Sequence, residues 1–472
     1  MRALPNTAPY LSLLLLLVVG RWSLVPSLAR DIVMKEIAKA QPEASVPLPP
    51  PPAPALVVST ETLESFADDV DSLWASSSIP ILEEPPSSLE FLRDFVSRSR
   101  PCIIKNAILT ENDDDDNDDN SRRSRSSSRP PLLLSLDDLV ALMEGVNVVL
   151  DVNATPDGHG DCLRRVGVPT RTEGAVEKEL SIIDMFVEPE LRKMSFPQFR
   201  DRLRAKRKPC GRVDDENVLD RIFLPTTVEP VVDDSHSENG ESDDDNAVLY
   251  YSVQNDCLRA DLPSLWDTGI FPTSFNWAEQ AFGVGLPDAV NLWVGNELGV
   301  SSMHKDHYEN LFYVLSGEKV FTVCPPADAP FLYERECPAG VFVSSTKDGG
   351  GNWKVQQQQE QEQESQSDDG QSQSAPTTVR WIAANVQRKN NDQHLADYPL
   401  LAYTHPITIT ICAGEMLYLP ALWFHSVTQT KETVAINYWY DMKFDSPAWC
   451  YFHFLSQMQP GPTPPSPPAT VP

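Results

Sequence analysis

From Asp288 onward, apolar and polar residues alternate with a period of two in short runs: "VNLWVG", "NLFYVL", "KVFTVC", "ITITIC", "EMLYLP" and "TVAINYWY". Strands send successive side chains to opposite faces, so each run predicts a strand, and Gly295, Gly317 and Gly414 predict the turns between them. Many short strands with glycine turns favour a jelly roll or barrel over a parallel sheet. Upstream the period changes. "SSLEFLRDFVSRS" predicts an amphipathic helix capped by Ser88, with Phe91, Leu92 and Phe95 as its apolar residues. "LSLDDLVALMEG" and "SFPQFRDRLRAKR" predict two more helices, the second capped by Ser195 with Phe196, Phe199 and Leu203 on one face. "RPCIIKNAI", "NVVLDVN" and "AVLYYSV" predict strands. The expected class is mainly β with flanking helices.

Other segments carry no such pattern. Residues 1–29 combine one early Arg, the apolar run Leu11 to Gly20 and a small-residue site ending at Ala29, which together read as a secretory signal or a short anchor. The competing reading is a start placed too early, with Met34 or a later residue opening the protein. Residues 30–56 are a Pro-rich linker. An N-terminal α/β part is expected over 57–287, interrupted by acidic insertions near 111–130 and 209–246. The β-rich core follows over 288–458, with a low-complexity insertion near 345–377, and 459–472 reads as a disordered tail.

Composition changes this picture in two respects. The chain of 472 residues has 41% hydrophobic residues, enough for a large core, and a formal net charge of -30. Three runs, at 111–119, 233–245 and 360–369, hold 19 of the 68 acidic residues, and the remaining 49 still outnumber the 38 Lys and Arg. Such a surface argues against direct nucleic-acid binding and suits a basic peptide or protein partner. The eight cysteines form no C-x-x-C pair and read mostly as buried free thiols, Cys324 and Cys412 among them.

Chemistry concentrates in "SSMHKDHYENLFYVLSGEKVF", residues 301–321. On a strand, His304 and Asp306 share one face and Lys305 and His307 the other, which gives His307 a hydrogen-bonded structural role. An imidazole and a carboxylate pointing inward together need a third protein ligand, and His425 in "GEMLYLPALWFHSV" is the best placed, after a strand and the Pro420 turn. Two His and one carboxylate on adjacent corners suit non-haem Fe(II) with open positions. Lys319 starts an apolar strand, where an inward ammonium is costly unless an anion pairs with it, as in a clamp on a dicarboxylate. Asn310, four residues beyond Asp306, would return to the same face. His159, His236 and His394 sit in polar or loop-like stretches, and no spacing singles out His405 or His453.

"NLWVGNELGVSSMHKDHYENLFYVLSGEKVFTVCPPAD", "GEMLYLPALWFHSV" and "AINYWYDM" closely resemble JmjC-domain 2-oxoglutarate oxygenases, most narrowly the bifunctional peptidase and (3S)-lysyl hydroxylase group. The likeness runs upstream through "SSSIPILEEPPSSLEFLRDFVSRSRPCIIKNAI", "DVNATPDGHGD" and "LYYSVQNDCL", over roughly residues 57 to 458. It implies a double-stranded β-helix core, cupin-like, with Fe(II) on His304, Asp306 and His425, and with 2-oxoglutarate and O2 as cosubstrates. Lys319 would pair with the distal carboxylate of 2-oxoglutarate; Tyr250, Ser301, Asn310 and Asn437 would line its site, with Trp439 nearby. Phe312 departs from close relatives, which carry Tyr there, so one hydroxyl is missing. The implied reaction is hydroxylation of a protein Lys, in a substrate such as a developmentally regulated GTP-binding protein; histone lysine demethylation and histone-tail cleavage are the alternatives, and a homodimer stays open. Such relatives are expected in cytosol and nucleus, whereas the leader points to the secretory route.

Overall fold

The alternating runs become a jelly roll because each must hide one face, and two facing sheets hide both sets at once. In the computed structural model, residues 56–73, 78–110, 129–169, 180–205, 229–230, 247–345, 352–358 and 377–460 are described. Eight strands build the core: β1 (Ala289–Gly295), β2 (Val300–Lys305), β3 (Tyr308–Ser316), β4 (Glu318–Cys324), β5 (Ile407–Cys412), β6 (Glu415–Leu419), β7 (Phe424–Gln429) and β8 (Thr433–Asp441). The larger sheet runs β6-β3-β8-β1, extended at one end by Cys102–Lys105 and Ile81–Leu82, and at the other by Val248–Tyr251, Val149–Thr155 and Glu190–Ser195. The smaller sheet runs β5-β4-β7-β2 and ends on His159–Gly160.

Strand β3 shows how the pattern is spent. Leu311, Tyr313 and Leu315 point outward into a core shared with helices, whereas Phe312 and Val314 point into the barrel with Phe321, Val323, Leu417 and Val427. Full burial of such side chains is worth ~1.5–3 kcal/mol each. On the outer face, helix Ser88–Asp94 buries Phe91 edge-on against Tyr418, with ring centroids 4.7 Å apart. Its cap is Ser87 rather than the expected Ser88: Ser87 accepts from the Glu90 N–H while the Glu90 carboxylate accepts from the Ser87 N–H, a reciprocal pair that needs Glu three residues on. Ser195 caps Phe196–Arg204 as expected, burying Phe196, Phe199 and Leu203, and Ser135 caps Leu136–Leu142.

Several boundaries differ from the expectation. Asn352–Gln357, inside the expected 345–377 insertion, pairs antiparallel with Glu334–Ser345, because Trp353 and Val355 supply an apolar face that the Gln runs around them lack. Met458–Pro460, at the start of the expected tail, pairs in parallel with Leu56–Val58. Gly317 and Gly414 do occupy turns, at φ +80° and +88°, but Gly295 ends β1 and pairs with Tyr250. Of the cysteines, 102, 162, 257, 324 and 337 are buried free thiols. Cys412 and Cys450 are exposed: β5 is the edge strand of its sheet, and its alternation turns Ile411 inward and Cys412 out. The leader, most of the linker, Cys210, His236 and most of each acidic insertion lie outside the described residues. Among the described residues no helix is long and apolar enough to cross a membrane.

Candidate metal and cosubstrate site

His304 and His425 stand directly opposite each other in the β2–β7 ladder, with ring centroids 4.2 Å apart. Each ring is aimed by the same device. Nδ1 of His304 lies 2.7 Å from the Ser302 carbonyl and Nδ1 of His425 lies 3.0 Å from the Trp423 carbonyl, in each case two residues back. A carbonyl only accepts, so Nδ1 carries the proton and Nε2 presents a lone pair. Burial, and then the neighbouring His304, push His425 down to about 4, which favours the neutral form that a metal ligand requires.

Asp306 completes the set, though not as the pattern predicted. Strand β2 ends at Lys305 and β3 begins at Tyr308, so Asp306 lies in the connection and not two along a strand from His304. Its carbonyl accepts from the Leu422 N–H at 2.9 Å, in a turn where Leu422 takes φ +69°. The Glu309 carboxylate accepts from Tyr418 Oη at 2.8 Å and from the Ala421 N–H at 3.3 Å. These ties lock the β2–β3 connection to the β6–β7 turn and so fix Asp306 relative to His425. Asp306 Oδ2 is 3.5 Å from His425 Nε2 and 4.0 Å from His304 Nε2, and one ligand atom from each of the three residues lies within 4.8 Å of the others. Two neutral imidazoles and a carboxylate converging this way fit a divalent transition metal. Among the described residues no other group of three His, Cys, Asp or Glu could hold an ion.

The triad lines a cavity of about 270 Å³ whose wall also includes Tyr250, Ser301, Asn310, Phe312, Asn437 and Trp439. Asn310 reaches it through the alternation of β3, in the opposite sheet from His304, rather than by sharing a strand with Asp306. Asn437 donates to Asn310 Oδ1 at 3.2 Å and accepts from Trp293 Nε1 at 2.9 Å, so both amides are oriented. Phe312 packs against Trp293 and Phe321 and makes this part of the wall apolar. Lys319 is 1% exposed and stands behind Tyr250, donating to its hydroxyl at 2.8 Å and to Gln429 Oε1. Burial pushes its ammonium down to about 7.

The other described histidines fall outside the cluster. His307 is exposed and packs its ring on Phe444 and Trp449 rather than taking the expected hydrogen-bonded role. His405 binds the buried Asp328 carboxylate at 2.7 Å, His394 accepts from the Asn385 N–H, and His159 is buried on the strand beside β2.

Sequence reading missed several wall residues. Trp381 lies parallel to His304 at 6.0 Å and donates to Ser302 Oγ. Asp161 and Glu188 bring two carboxylates, and among the described residues neither is paired with a Lys or Arg side chain. Burial and the charge of Glu188 raise the Asp161 carboxyl to about 6. Gln429 was legible in principle: His425, Val427 and Gln429 share a face of β7, and a Gln on an inward position asks for a partner.

A cupin-like domain matches residues 87–446 of the chain. The human Bifunctional peptidase and (3S)-lysyl hydroxylase JMJD7 is 30% identical over 405 residues, covering 86% of this chain and 96% of the relative. JmjC domain-containing protein E of Dictyostelium discoideum is 29% identical over 384 residues, 79% of this chain and 87% of the relative. Lysine-specific demethylase JMJ32 of Arabidopsis thaliana is 28% identical over 408 residues, 83% and 92% respectively.

Proposed function

Because this chain belongs to the cupin-like JmjC family of oxygenases, we propose that it is an Fe(II)- and 2-oxoglutarate-dependent hydroxylase of protein lysyl side chains. The observation that carries the reading is the convergence of His304, Asp306 and His425 on one point of a closed barrel, with a buried ammonium deeper in the same barrel. When bound, iron and 2-oxoglutarate supply the oxidising power: O2 gives one oxygen atom to a C–H bond and one to the keto acid, which leaves as succinate and CO2.

The chain's own residues do the rest. His304, Asp306 and His425 would hold a divalent ion through two neutral imidazoles and one carboxylate. Asn310, Asn437, Tyr250 and Ser301 line the cavity and offer polar groups to the cosubstrate, and Lys319, buried behind Tyr250, would supply the charge for its distal carboxylate. Trp293, Phe312 and Phe321 keep that end of the cavity apolar, so water is excluded where the cosubstrate sits. Phe312 leaves one hydroxyl fewer for the carboxylate, and Lys319 carries more of the binding in consequence.

Asp161 and Glu188 support a cationic target. Among the described residues neither carboxylate has a Lys or Arg partner, Glu188 accepting from the neutral Gln358 amide at 2.6 Å, so the two repel each other and a lysyl ammonium entering between them would relieve that repulsion. Asp161→Asn combined with Glu188→Gln is expected to raise KM for a Lys peptide by roughly 10–100-fold, the worth of a hydrogen bond to a charged group. Turnover of 2-oxoglutarate without peptide should be unchanged; an unaltered peptide KM would remove these residues from substrate recognition.

Mass spectrometry of candidate peptides, beginning with Lys-containing segments of a developmentally regulated GTP-binding protein, tests the reading. A gain of one oxygen on Lys that requires Fe(II) and 2-oxoglutarate supports it. Loss of an N-methyl group would support demethylation instead, the activity in the name of the Arabidopsis relative. Cleavage without 2-oxoglutarate would support the peptidase activity in the name of the human one.

A further inference from the structure

Lys319 and Gln429 face each other directly across the β4–β7 ladder, and both are buried in the barrel. An ammonium has three N–H donors and no acceptor. Tyr250 Oη takes one and Gln429 Oε1 another, with the Tyr250 ring centroid 4.8 Å from Nζ. Among the described residues no Asp or Glu is ion-paired with Lys319, so a buried cation is held by two neutral oxygens with one N–H to spare.

The Gln429 amide has only one workable orientation. Its Nε2 donates to the Asn296 carbonyl, which cannot donate back, and turning the amide over would set NH2 against an ammonium. The backbone is cut to fit it. A Cβ on Gly299 would stand 2.8 Å from Gln429 Nε2, and one on Gly295 would stand 2.6 Å from Tyr250 Cδ2 and closer still to the same Nε2. Neither glycine is in the left-handed region, so space rather than conformation requires them. Three separate stretches of chain, 295–299, β7 and the strand Val248–Tyr251, thus hold one primary amide and one phenol against one ammonium.

We propose that Gln429 is a positioning residue for the diacid cosubstrate, a neutral acceptor that fixes the Lys319 ammonium while leaving its charge and one N–H for an incoming carboxylate. This rests on the reading of Lys319 under Proposed function. Neutrality is the working property. A carboxylate at this position would form an internal ion pair and cancel the attraction for the cosubstrate, whereas an apolar side chain would leave the ammonium with one acceptor fewer.

The test uses the full chain with Mn(II) in place of iron and without O2, so that binding is read without turnover. Calorimetric titrations with 2-oxoglutarate are compared with titrations using pyruvate, a keto acid that lacks the distal carboxylate. Gln429→Glu is expected to weaken 2-oxoglutarate by ~30-fold or more and Gln429→Leu by ~10-fold, with pyruvate and Mn(II) binding within about threefold of wild type. A general loss of structure would weaken both keto acids together, so the ratio between them isolates the distal carboxylate. Gln429→Leu, which adds no charge to the barrel, carries the test should Gln429→Glu not fold. Lys319→Met serves as the reference: if it loses the preference for the diacid and neither Gln429 variant does, the positioning role is overturned and the reading of Lys319 stands. If Lys319→Met keeps the preference, both are overturned, and parallel weakening of pyruvate and 2-oxoglutarate in the Gln429 variants likewise overturns the positioning role.

Discussion

His304→Ala and Asp306→Ala are each expected to reduce turnover by more than ~100-fold while the protein stays folded, since loss of even a group that orients a metal ligand costs 10–100-fold. The fold should survive because neither side chain belongs to the hydrophobic core clusters of the two sheets. Both are about one-fifth exposed and face the cavity, while the ties that lock the adjoining turns run through the Asp306 backbone and through Glu309. Removing Asp306 takes away the one carboxylate of the set and with it the charge that offsets a divalent ion. Removing His304 also takes one ring neighbour from Trp381, which keeps its contact with Phe186 and its hydrogen bond to Ser302 Oγ. Circular dichroism and a thermal melt check the fold, and metal content after desalting checks the site. Near-normal turnover in either variant would reject the ligand assignment.

Lys319→Met should be nearly as damaging, and in a different parameter. Removing one partner of a buried ion pair costs ~3–5 kcal/mol, because the other charge is left buried and alone. KM for 2-oxoglutarate is therefore expected to rise by two to three orders of magnitude, roughly, at ~1.4 kcal/mol per decade, with kcat much less affected. A pH dependence accompanies it. Burial holds the Lys319 ammonium down to about 7, so the charged form that attracts the diacid prevails below that pH and is lost as pH rises through it. Affinity of the wild-type protein for 2-oxoglutarate should fall as pH climbs from 7 to 9, and that slope should be absent from Lys319→Met. An equal slope in both proteins would place the titrating group elsewhere.

What the sequence made legible follows the range of the interactions. Period-two alternation marked the strands because facing sheets impose it locally, and the three converging residues were visible because His304, Asp306 and His425 lie in or beside such runs. Lys319 stood out as a charge at the head of an apolar strand. Details that hang on a single residue's partner were less secure: Ser87 rather than Ser88 caps its helix because Glu90 completes the pair, and Cys412 is exposed because β5 is an edge. Asp306 does lie beside His304 and His425, but its position depends on Leu422, 116 residues away, and not on strand alternation. Asp161, Glu188 and Trp381 were out of reach, since only pairings over long stretches of chain bring them to the cavity; Ser302, for instance, donates to the Asp161 carbonyl across 141 residues. Gly295 looked like a turn glycine, and only the arrival of Tyr250 and Gln429 from distant strands shows that it provides room.

The coordination itself can be observed by titrating the purified full chain, free of O2, first with Fe(II) and then with 2-oxoglutarate, while recording visible absorption. Stoichiometric iron uptake followed by a charge-transfer band on adding the keto acid is the expected result, with the band absent from Asp306→Ala. A folded wild-type protein that takes up no iron, or that binds iron and shows no spectral response to 2-oxoglutarate, would contradict it.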